Sequence, residues 1–348
     1  AVAAGGQALG VPTVMETFVT TMKHSMSVAA ALACAVAALP AAAQSQQAPL
    51  LFPGKPVRLL VGSPPGGPSD ISSRLIAERL TDRFKQTVTV ENKPGAANSL
   101  ASREAANAPP DGHTLVNNPD TVVTVNPYVY KNTGFDGRTD LVPVTVIATF
   151  SQMLVCNASL GLKSVDDLLA RARKEKLLYA SGGAGSPGHL AFTMVLDATK
   201  VQMDHVPYKG PAPATQAVLA GEVACGFLAT PGVLPHVKAG KLTALAVSSA
   251  EPSPLAPEVP PLTQVLGRSD VDATFKLVLM APKGTPANVV AAVQSAVRDV
   301  LQQPDVRERF ARSDLVAVGS TAAEAQKVLQ ADGERWSGVI KRIGLRLE

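Results

Sequence analysis

Two glycine-rich stretches carry the residue types best suited to bind an anion. They are SPPGGPSD at 63–70 and SGGAGSPGH at 181–189, and each follows a β-strand pattern and precedes a helical one. Glycine permits backbone angles that other residues avoid, and the first turn of a helix exposes N–H groups that attract negative charge. For the first stretch three interpretations compete: a plain turn capped by Ser69 or Asp70, a phosphate cradle, and a cup for an organic anion.

The second stretch also matches the glycine pattern of a dinucleotide site. Gly183, Gly185 and Gly188 have the G-x-G-x-x-G spacing, and Asp204 follows at about the distance of a ribose-binding acid. Pro187 at the helix start and the position of the pattern in mid-chain argue against a nucleotide. The pattern is also weak when it stands alone. We therefore expect no nucleotide and no other cofactor.

The sequence lacks the usual patterns of catalytic and metal sites. Ser186 is not in a G-x-S-x-G motif, because Ala184 occupies the first glycine position. The histidines of the mature chain have no metal-ligand spacing; they are His113, His189, His205 and His236. The sequence therefore predicts no catalytic residue, no metal site and a protein that is not an enzyme.

An export signal precedes both glycine-rich stretches. Residues 22–43 combine a basic start at Lys23, an apolar run and a small-residue pattern that predicts cleavage after Ala43. The apolar run is shorter than the ~20 residues of a membrane-spanning helix. We therefore expect a periplasmic protein released from its signal peptide.

Two further features of the N-terminal region have their own interpretations. A lipoprotein acylated at Cys34 is the alternative to cleavage, but Ala31 stands where such sites usually carry leucine. Residues 1–21 lie upstream of the signal peptide and are expected either to be non-native sequence or to come from a start site set too early.

Composition limits the partners and the redox chemistry. The net charge is +4, the basic residues are scattered, and only 4% of residues are aromatic, so nucleic acid is not an expected partner. Cys156 and Cys225 lie in apolar, strand-like runs without a cysteine framework. We expect buried free thiols, with a disulfide as the alternative that export would permit.

Short β-rich runs alternate with helical ones along the mature chain. Strands are predicted at 57–62, 87–91, 152–156, 177–180, 222–228 and 242–248. Alternation of this kind predicts parallel sheets with crossover helices.

A proline-rich segment at 248–267 interrupts this alternation, and one more strand follows at 275–285. A chain that leaves one lobe and returns by a late strand predicts two α/β lobes joined by two crossings. We place lobe 1 at 50–150 plus 273–348 and lobe 2 at 151–272, with a ligand cleft outside the carboxyl ends of the strands.

Five motifs occur in an order that is typical of one family. They are Pro-Pro-Gly-Gly-x-x-Asp at 64–70, Glu-Asn-Lys-Pro-Gly-Ala at 91–96, Pro-Asp-Gly-His-Thr-Leu at 110–115, Ser-x-Gly-x-Gly-Ser-x-x-His-Leu at 181–190 and Val-Pro-Tyr-Lys-Gly at 206–210. In this order they resemble the Bug family, the extracytoplasmic solute-binding receptors associated with tripartite tricarboxylate transporters.

The resemblance implies the type II periplasmic binding protein fold, in which two α/β lobes close on a solute. It also implies a receptor that captures a small organic carboxylate, partly through ordered water, and presents it to a membrane permease of the tripartite tricarboxylate type. We expect a monomer. The alternatives are a ligand sensor for a signalling partner and a secreted enzyme on the same fold.

Carried over by position, the resemblance places the carboxylate between the two glycine-rich stretches. The predicted contacts are Ser63, Pro65, Gly66, Gly67 and Asp70 on one side and Gly183, Gly185, Ser186 and His189 on the other.

Some positions depart from the family pattern and limit what the resemblance implies about the ligand. Ser63 stands where many members have an aromatic residue, and Leu228 where many have an acid. Asp120 is an additional acid near the predicted cleft; either it favours an amine, amide or hydroxyl donor on the ligand, or it caps a helix that starts near Thr121. The predicted selecting residues are Asp120, Ser151, Gln152 and Thr230.

Overall fold

The computed structural model describes residues 1–3, 5, 54–131 and 134–347. The predicted signal peptide at 22–43, its cleavage site and Cys34 lie outside the described residues. Of the unit Ala1–Pro49, the described residues are exposed and belong to no helix or strand. The unit Leu50–Glu348 carries all elements below. None of the helices in the described ranges is both long and apolar enough to cross a membrane.

The elements follow one another in three parts. The first runs β1 (Val57–Val61), α1 (Pro68–Phe84), β2 (Val88–Asn92), α2 (Ser99–Ala106), β3 (Thr114–Pro119), α3 (Thr121–Thr124), α4 (Asn126–Val129) and β4 (Leu141–Phe150). The second runs β5 (Gln152–Asn157), α5 (Val165–Ala172), β6 (Leu178–Ser181), α6 (Pro187–Thr199), β7 (Asp204–Pro207), α7 (Pro211–Ala220), β8 (Cys225–Ala229), α8 (Thr230–Lys238), β9 (Leu242–Val247) and α9 (Leu262–Leu266). The third runs β10 (Phe275–Pro282), α10 (Ala287–Leu301), α11 (Pro304–Ala311), β11 (Val316–Ala317) and α12 (Ala322–Ile343).

The first sheet has six strands in the order β11-β4-β10-β3-β1-β2. β1 runs parallel to β2 and β3, whereas β10 runs antiparallel to β3 and β4. α1 packs on β1 and β2 with apolar residues at helical spacing; Ile76, Leu80 and Phe84 are buried there. Pro68 in the first turn of α1 has the φ angle that a helix requires and lacks an N–H that would go unpaired.

The second sheet has five strands in the order β7-β6-β8-β5-β9. β6 runs parallel to β7 and β8, and β5 runs antiparallel to β8 and β9. α6 covers β6 and β8 with Leu190, Phe192 and Val195, all of them buried.

The predicted α/β fold is confirmed, but both sheets are mixed and not purely parallel. β4, β5 and β10, the strands next to the crossings, all pair antiparallel with their neighbours, as do the edge strands β9 and β11. The chain passes from the first sheet to the second between Phe150 and Gln152 and returns to the first sheet at Phe275. The division into lobes at 50–150 plus 273–348 and at 151–272 stays a prediction.

The expectation of free thiols is wrong, because Cys156 and Cys225 form a disulfide. The two residues are directly opposite each other in the register of β5 and β8, with Cα atoms 4.0 Å apart. Opposed positions on antiparallel strands bring the side chains close enough for a bond. The apolar runs that suggested buried thiols are these two neighbouring strands.

Candidate ligand-binding site

A cavity of about 650 Å³ lies where strands of both sheets end. Gly62 and Pro119 line it from the ends of β1 and β3, and Gly182 and Leu228 line it from β6 and β8. This is the crevice outside the carboxyl ends of the strands in which α/β proteins bind ligands. A volume of this size suits a small molecule.

Three helices begin at the wall of this cavity. α1, α6 and α7 each start with a proline, and Pro68, Pro187 and Pro211 all line the cavity. The N-cap residues of α1 and α7 are Gly67 and Gly210, which have no side chain to satisfy the N–H groups of the first turn. Unpaired N–H groups and the positive ends of the helix dipoles make this wall attractive to an anion.

The first glycine-rich loop is held in place from behind by Asp70. This carboxylate accepts hydrogen bonds from the Gly66 N–H at 3.0 Å, from Arg74 Nε at 3.0 Å and from Asn92 Nδ2 at 2.9 Å. Burial favours the neutral acid, but the hydrogen bonds from Arg74, Gly66 and Asn92 outweigh it and hold the pKa of Asp70 below its usual range. Asp70 therefore fixes the loop, and its side chain does not line the cavity.

Ser63 offers an unused hydroxyl at the cavity wall. Its Oγ is buried and has no hydrogen-bond partner, while its carbonyl accepts from Asn92 Nδ2 at 2.9 Å. A buried hydroxyl without a partner is costly. The Ser63 hydroxyl therefore keeps unused hydrogen-bonding capacity next to the cavity, although its oxygen is not exposed to it.

The second glycine-rich loop is held by a pair of histidines. The Gly185 N–H donates to His189 Nδ1 at 3.0 Å, and the His189 ring stacks on His205 with centroids 4.0 Å apart. His205 Nε2 and Ser181 Oγ are 2.6 Å apart. His189 is buried and does not line the cavity, so it supports the loop from behind.

Both histidines are neutral in the folded protein. Burial, with the neighbouring His205, lowers the pKa of His189 to about 3, and burial lowers the pKa of His205 to about 4. A neutral His189 matches the acceptor role of its Nδ1 towards Gly185.

We expect this pair to make the protein less stable in mild acid. The unfolded chain takes up protons on both histidines as the pH falls below about 6.5, whereas the folded chain does not, and linkage removes about 2 kcal/mol at pH 5 for His189 alone. Asp120 acts in the opposite direction, since its raised pKa stabilises the fold as the pH falls. Urea denaturation between pH 7.5 and 5 should therefore show a flatter profile in His189→Gln than in the wild type. Equal slopes for the two proteins would contradict the expectation.

The thirteen predicted contact residues fall into three groups. Five of them line the cavity: Ser63, Gly67, Gln152, Gly183 and Ser186. Pro65 and Gly66 line a smaller adjoining cavity of about 270 Å³. The remaining predicted residues lie outside both walls: Asp70, Asp120, Ser151, Gly185, His189 and Thr230.

Asp120 is the N-cap residue of α3, the second of its two predicted positions, and it lies outside the cavity wall. It is 1% exposed, and its Oδ1 accepts from the Lys276 backbone N–H at 3.2 Å. Its side chain does not cap α3, although that helix does begin at Thr121. Burial raises the pKa of Asp120 to about 6. The residue joins β3 to β10 and does not face the cavity.

Ser151 and Thr230 also lie outside the cavity wall. The Ser151 carbonyl accepts from Gln152 Nε2 at 3.1 Å at the crossing between the sheets. Thr230 is fully buried at the start of α8, beside Asp314. Neither side chain lines the cavity, and their predicted selecting roles receive no support from its geometry.

Several wall residues were not singled out from the sequence. Ala96, Ala97 and Asn98 line the cavity and have positive φ angles of 45°, 48° and 69°. Three successive residues other than glycine in the left-handed backbone conformation are strained, and such strain is often found at binding sites. The other missed residues include Tyr130, Tyr208, Lys209 and Gly210. The motifs at 91–96 and 206–210 were the available signal for Ala96 and for residues 208–210, whereas Ala97, Asn98 and Tyr130 lie outside both motifs.

Tyr130 connects the two sides of the cavity. Its hydroxyl donates to the Ala184 carbonyl, in the loop after β6, at 2.9 Å. Tyr130 itself follows α4, and the Leu347 N–H donates to the neighbouring Val129 carbonyl at 2.8 Å. A Cβ at Gly185 would lie 3.3 Å from Leu347 and 3.4 Å from the Tyr130 hydroxyl. The C-terminal segment and Tyr130 thus pack against the second glycine-rich loop.

Comparison with known proteins gives a consistent result. Residues 72–345 match the family described as tripartite tricarboxylate transporter family receptor. Protein BugT of Bordetella pertussis is 31% identical over 300 residues, which span 85% of this chain and 92% of that protein. The solved structure of R. palustris Rpa4515 with adipate is 30% identical, has a TM-score of 0.80, and covers 85% of this chain and 99% of its own. MatC from Rhodopseudomonas palustris with bound malate is 26% identical, has a TM-score of 0.77, and covers 83% of this chain and 100% of its own.

The family match extends over most of the chain, and it includes every element that lines the cavity except β1, the loop after it and the first residues of α1. These findings confirm the predicted family and the periplasmic binding protein fold. The chain therefore belongs to the tripartite tricarboxylate transporter receptors, the Bug family of solute-binding proteins.

Proposed function

We propose that this receptor binds a small organic carboxylate in the 650 Å³ cavity and presents it to a membrane permease of the tripartite tricarboxylate type. The observation that carries the proposal is the meeting of three helix starts, those of α1, α6 and α7, at one wall. Their N–H groups and dipoles suit a carboxylate. Adipate and malate in the related structures support the same ligand class.

The contacts suit a receptor that must also release its ligand. Backbone N–H groups are uncharged donors, and their hydrogen bonds to a carboxylate are weaker than those of an arginine clamp. Lys209 lines the cavity and is exposed, which suits attraction of anions from solution more than tight holding. The signal peptide predicted at 22–43 supports a periplasmic site of action.

Closure on the ligand is the second part of the proposal. The two sides touch where a Cβ on Gly210 would lie 3.3 Å from Pro64, and where the Tyr130 hydroxyl donates to Ala184. We infer that the side carrying β6, α6 and α7 moves relative to the side carrying β1 and α1. Ligand would favour the form in which both sets of helix starts reach the carboxylate.

A thermal-shift screen tests the ligand class. Protein spanning 44–348 would be unfolded, refolded to remove carried-over ligand, and mixed with mono-, di- and tricarboxylates and with aromatic acids. Adipate would be compared with its uncharged counterparts adipamide and 1,6-hexanediol. A ligand at 100 times its dissociation constant adds about 2.7 kcal/mol, which raises the melting temperature by several degrees. A shift confined to acids supports the proposal, and no shift with any acid contradicts it.

Tyr130→Phe is expected to weaken ligand binding about 5- to 10-fold. The variant removes one hydrogen bond that joins the two sides in the closed form, and such a bond contributes about 1 kcal/mol. Isothermal titration with an acid found in the screen would measure the change.

Tyr208→Phe is the matched control for this prediction. Tyr208 also lines the cavity, but its hydroxyl donates to the exposed Glu222 at 3.4 Å, on the same side of the cavity. Its removal should leave affinity within about twofold, because exposed pairs contribute little. Equal effects of the two substitutions would contradict a closing role for Tyr130.

A further inference from the structure

The wall segment Ala96–Asn98 has a backbone conformation that its residues do not favour. Its three φ angles lie between 45° and 69°, and the left-handed region is costly for residues that carry a Cβ. Asparagine tolerates this region better than alanine does, so the cost falls mainly on Ala96 and Ala97. Such a conformation persists only where neighbouring elements hold it in place.

Two buried asparagines hold this segment by its carbonyl groups. Asn126 Nδ2, at the start of α4, donates to the Ala97 carbonyl at 3.0 Å. Asn118 Nδ2, on β3, donates to the Asn98 carbonyl at 3.3 Å. Asn118 is 0% exposed and Asn126 is 1% exposed. Because water is excluded from both amides, it does not compete for these hydrogen bonds.

Asn118 also connects the segment to Gly62, the wall residue that follows β1. Asn118 Oδ1 accepts from the Gly62 N–H at 2.7 Å, and this donor requires the amide oxygen on its side, which turns Nδ2 towards Asn98. A Cβ at Gly62 would lie 2.6 Å from the Asn98 Cβ, so the two wall segments are in close contact. One side chain therefore sets the relative position of two parts of the wall.

Both asparagines act from behind the wall, since neither side chain lines the cavity. Asn126 Oδ1 is buried and has no hydrogen-bond partner among the described residues. An unpaired buried oxygen costs stability. Asn126 therefore uses the donor side of its amide, and that side faces the strained segment.

We propose that Asn118 and Asn126 are positioning residues for ligand binding, whose amides keep Ala96–Asn98 in the strained conformation that the carboxylate ligand meets. This inference rests on the proposed function, since it concerns the wall of the same cavity. Without one of the amides, the segment relaxes in part of the molecules. The apparent affinity then falls with the fraction of molecules that keep the binding conformation.

Alanine substitutions separate positioning from stability. In protein spanning 44–348, Asn118→Ala and Asn126→Ala should each bind adipate about 10-fold more weakly than the wild type in isothermal titration. The tightest-binding acid of the screen replaces adipate if adipate does not bind. Asn157→Ala is the matched control, because the Asn157 amide also donates to backbone carbonyls, those of Val218 and Leu219, far from the wall. It should lower the stability in urea and leave the affinity within about twofold.

A glycine at position 97 gives a measurement that a purely structural role would not change. Glycine adopts positive φ angles without the cost of a Cβ, so Ala97→Gly should partly replace the missing amide. We expect Ala97→Gly to raise the affinity for the same acid more in the Asn126→Ala protein than in the wild type. Equal effects in the two proteins would overturn the proposal.

The remaining outcomes distinguish the two proposals. Affinities of both folded alanine variants within about twofold of the wild type overturn the positioning role and leave the carboxylate receptor intact. Failure of every acid in the screen to bind the wild-type protein overturns both. The two variants remove different contacts, so if one of them does not fold, the other decides.

Discussion

Removal of the Cys156–Cys225 disulfide is expected to lower the free energy of unfolding by about 4 kcal/mol. The bridge joins residues 69 positions apart, and in the chain-entropy model a closed loop of that length restricts the unfolded chain by about this amount. Both cysteines are fully buried on the adjacent strands β5 and β8. Denaturation in urea, with and without a phosphine reductant present during refolding, would measure the difference.

The Cys156→Ala/Cys225→Ala double variant separates the bond from its surroundings. Protein spanning 44–348 contains no other cysteine, so the reductant should have no effect on this variant. Its stability should be close to that of the reduced wild type, apart from the loss of two buried sulfur atoms. If a thiol reagent detects two free thiols in wild-type protein that is unfolded without reductant, the disulfide is absent and the prediction fails.

The disulfide shows the limit of local sequence patterns. The runs around Cys156 and Cys225 indicate two apolar strands, and both strands are present as β5 and β8. Their register is set by non-local pairing, and only that register places the two residues opposite each other. The prediction of free thiols used only the residues next to each cysteine, so it could not take this register into account.

Strand prediction failed for a similar reason at β4. This strand is ten residues long and contains Pro143, a residue that cannot donate to a neighbouring strand. In the structure Pro143 is opposite Met280, next to a shift in the register between β4 and β10. The irregularity accommodates the proline, and the sequence of β4 alone does not reveal it.

The residues of the candidate site also differ in whether local sequence could predict them. The loops after β1 and β6 were predictable, because glycines, prolines and helix starts act on their own neighbours in sequence. Tyr130 belongs to the wall only because distant segments pack around it, whereas the resemblance had drawn attention to Leu228. Asp120 shows the converse, since its position at the end of the third strand suggested the cleft but its carboxylate accepts from the Lys276 N–H on β10.

Gly188→Ala is expected to destabilise the fold by about 3 kcal/mol and to weaken ligand binding. Gly188 lies in the first turn of α6, and a Cβ there would be 2.2 Å from the Phe227 carbonyl oxygen on β8. The obstacle is backbone and not a flexible side chain, so the helix must move away from the strand. Such a movement would displace Ser186 and Pro187 from the cavity wall.

Gly338→Ala is the matched control for the Gly188 prediction, since both residues are glycines within helices. A Cβ at Gly338, in α12, would have no atom within 4 Å. Alanine should therefore stabilise α12 by about 0.5–1 kcal/mol, because it restricts the unfolded chain and has the higher helix propensity. Urea denaturation would give the two stability changes, and titration with a bound acid would give the affinities. We expect Gly188→Ala to lower the free energy of unfolding and Gly338→Ala to raise it. Only Gly188→Ala should weaken ligand binding, because the close packing of α6 on β8 holds the second glycine-rich loop at the cavity. A Gly188→Ala protein with wild-type stability would show that α6 and β8 can separate without cost, and the loop would then need another support.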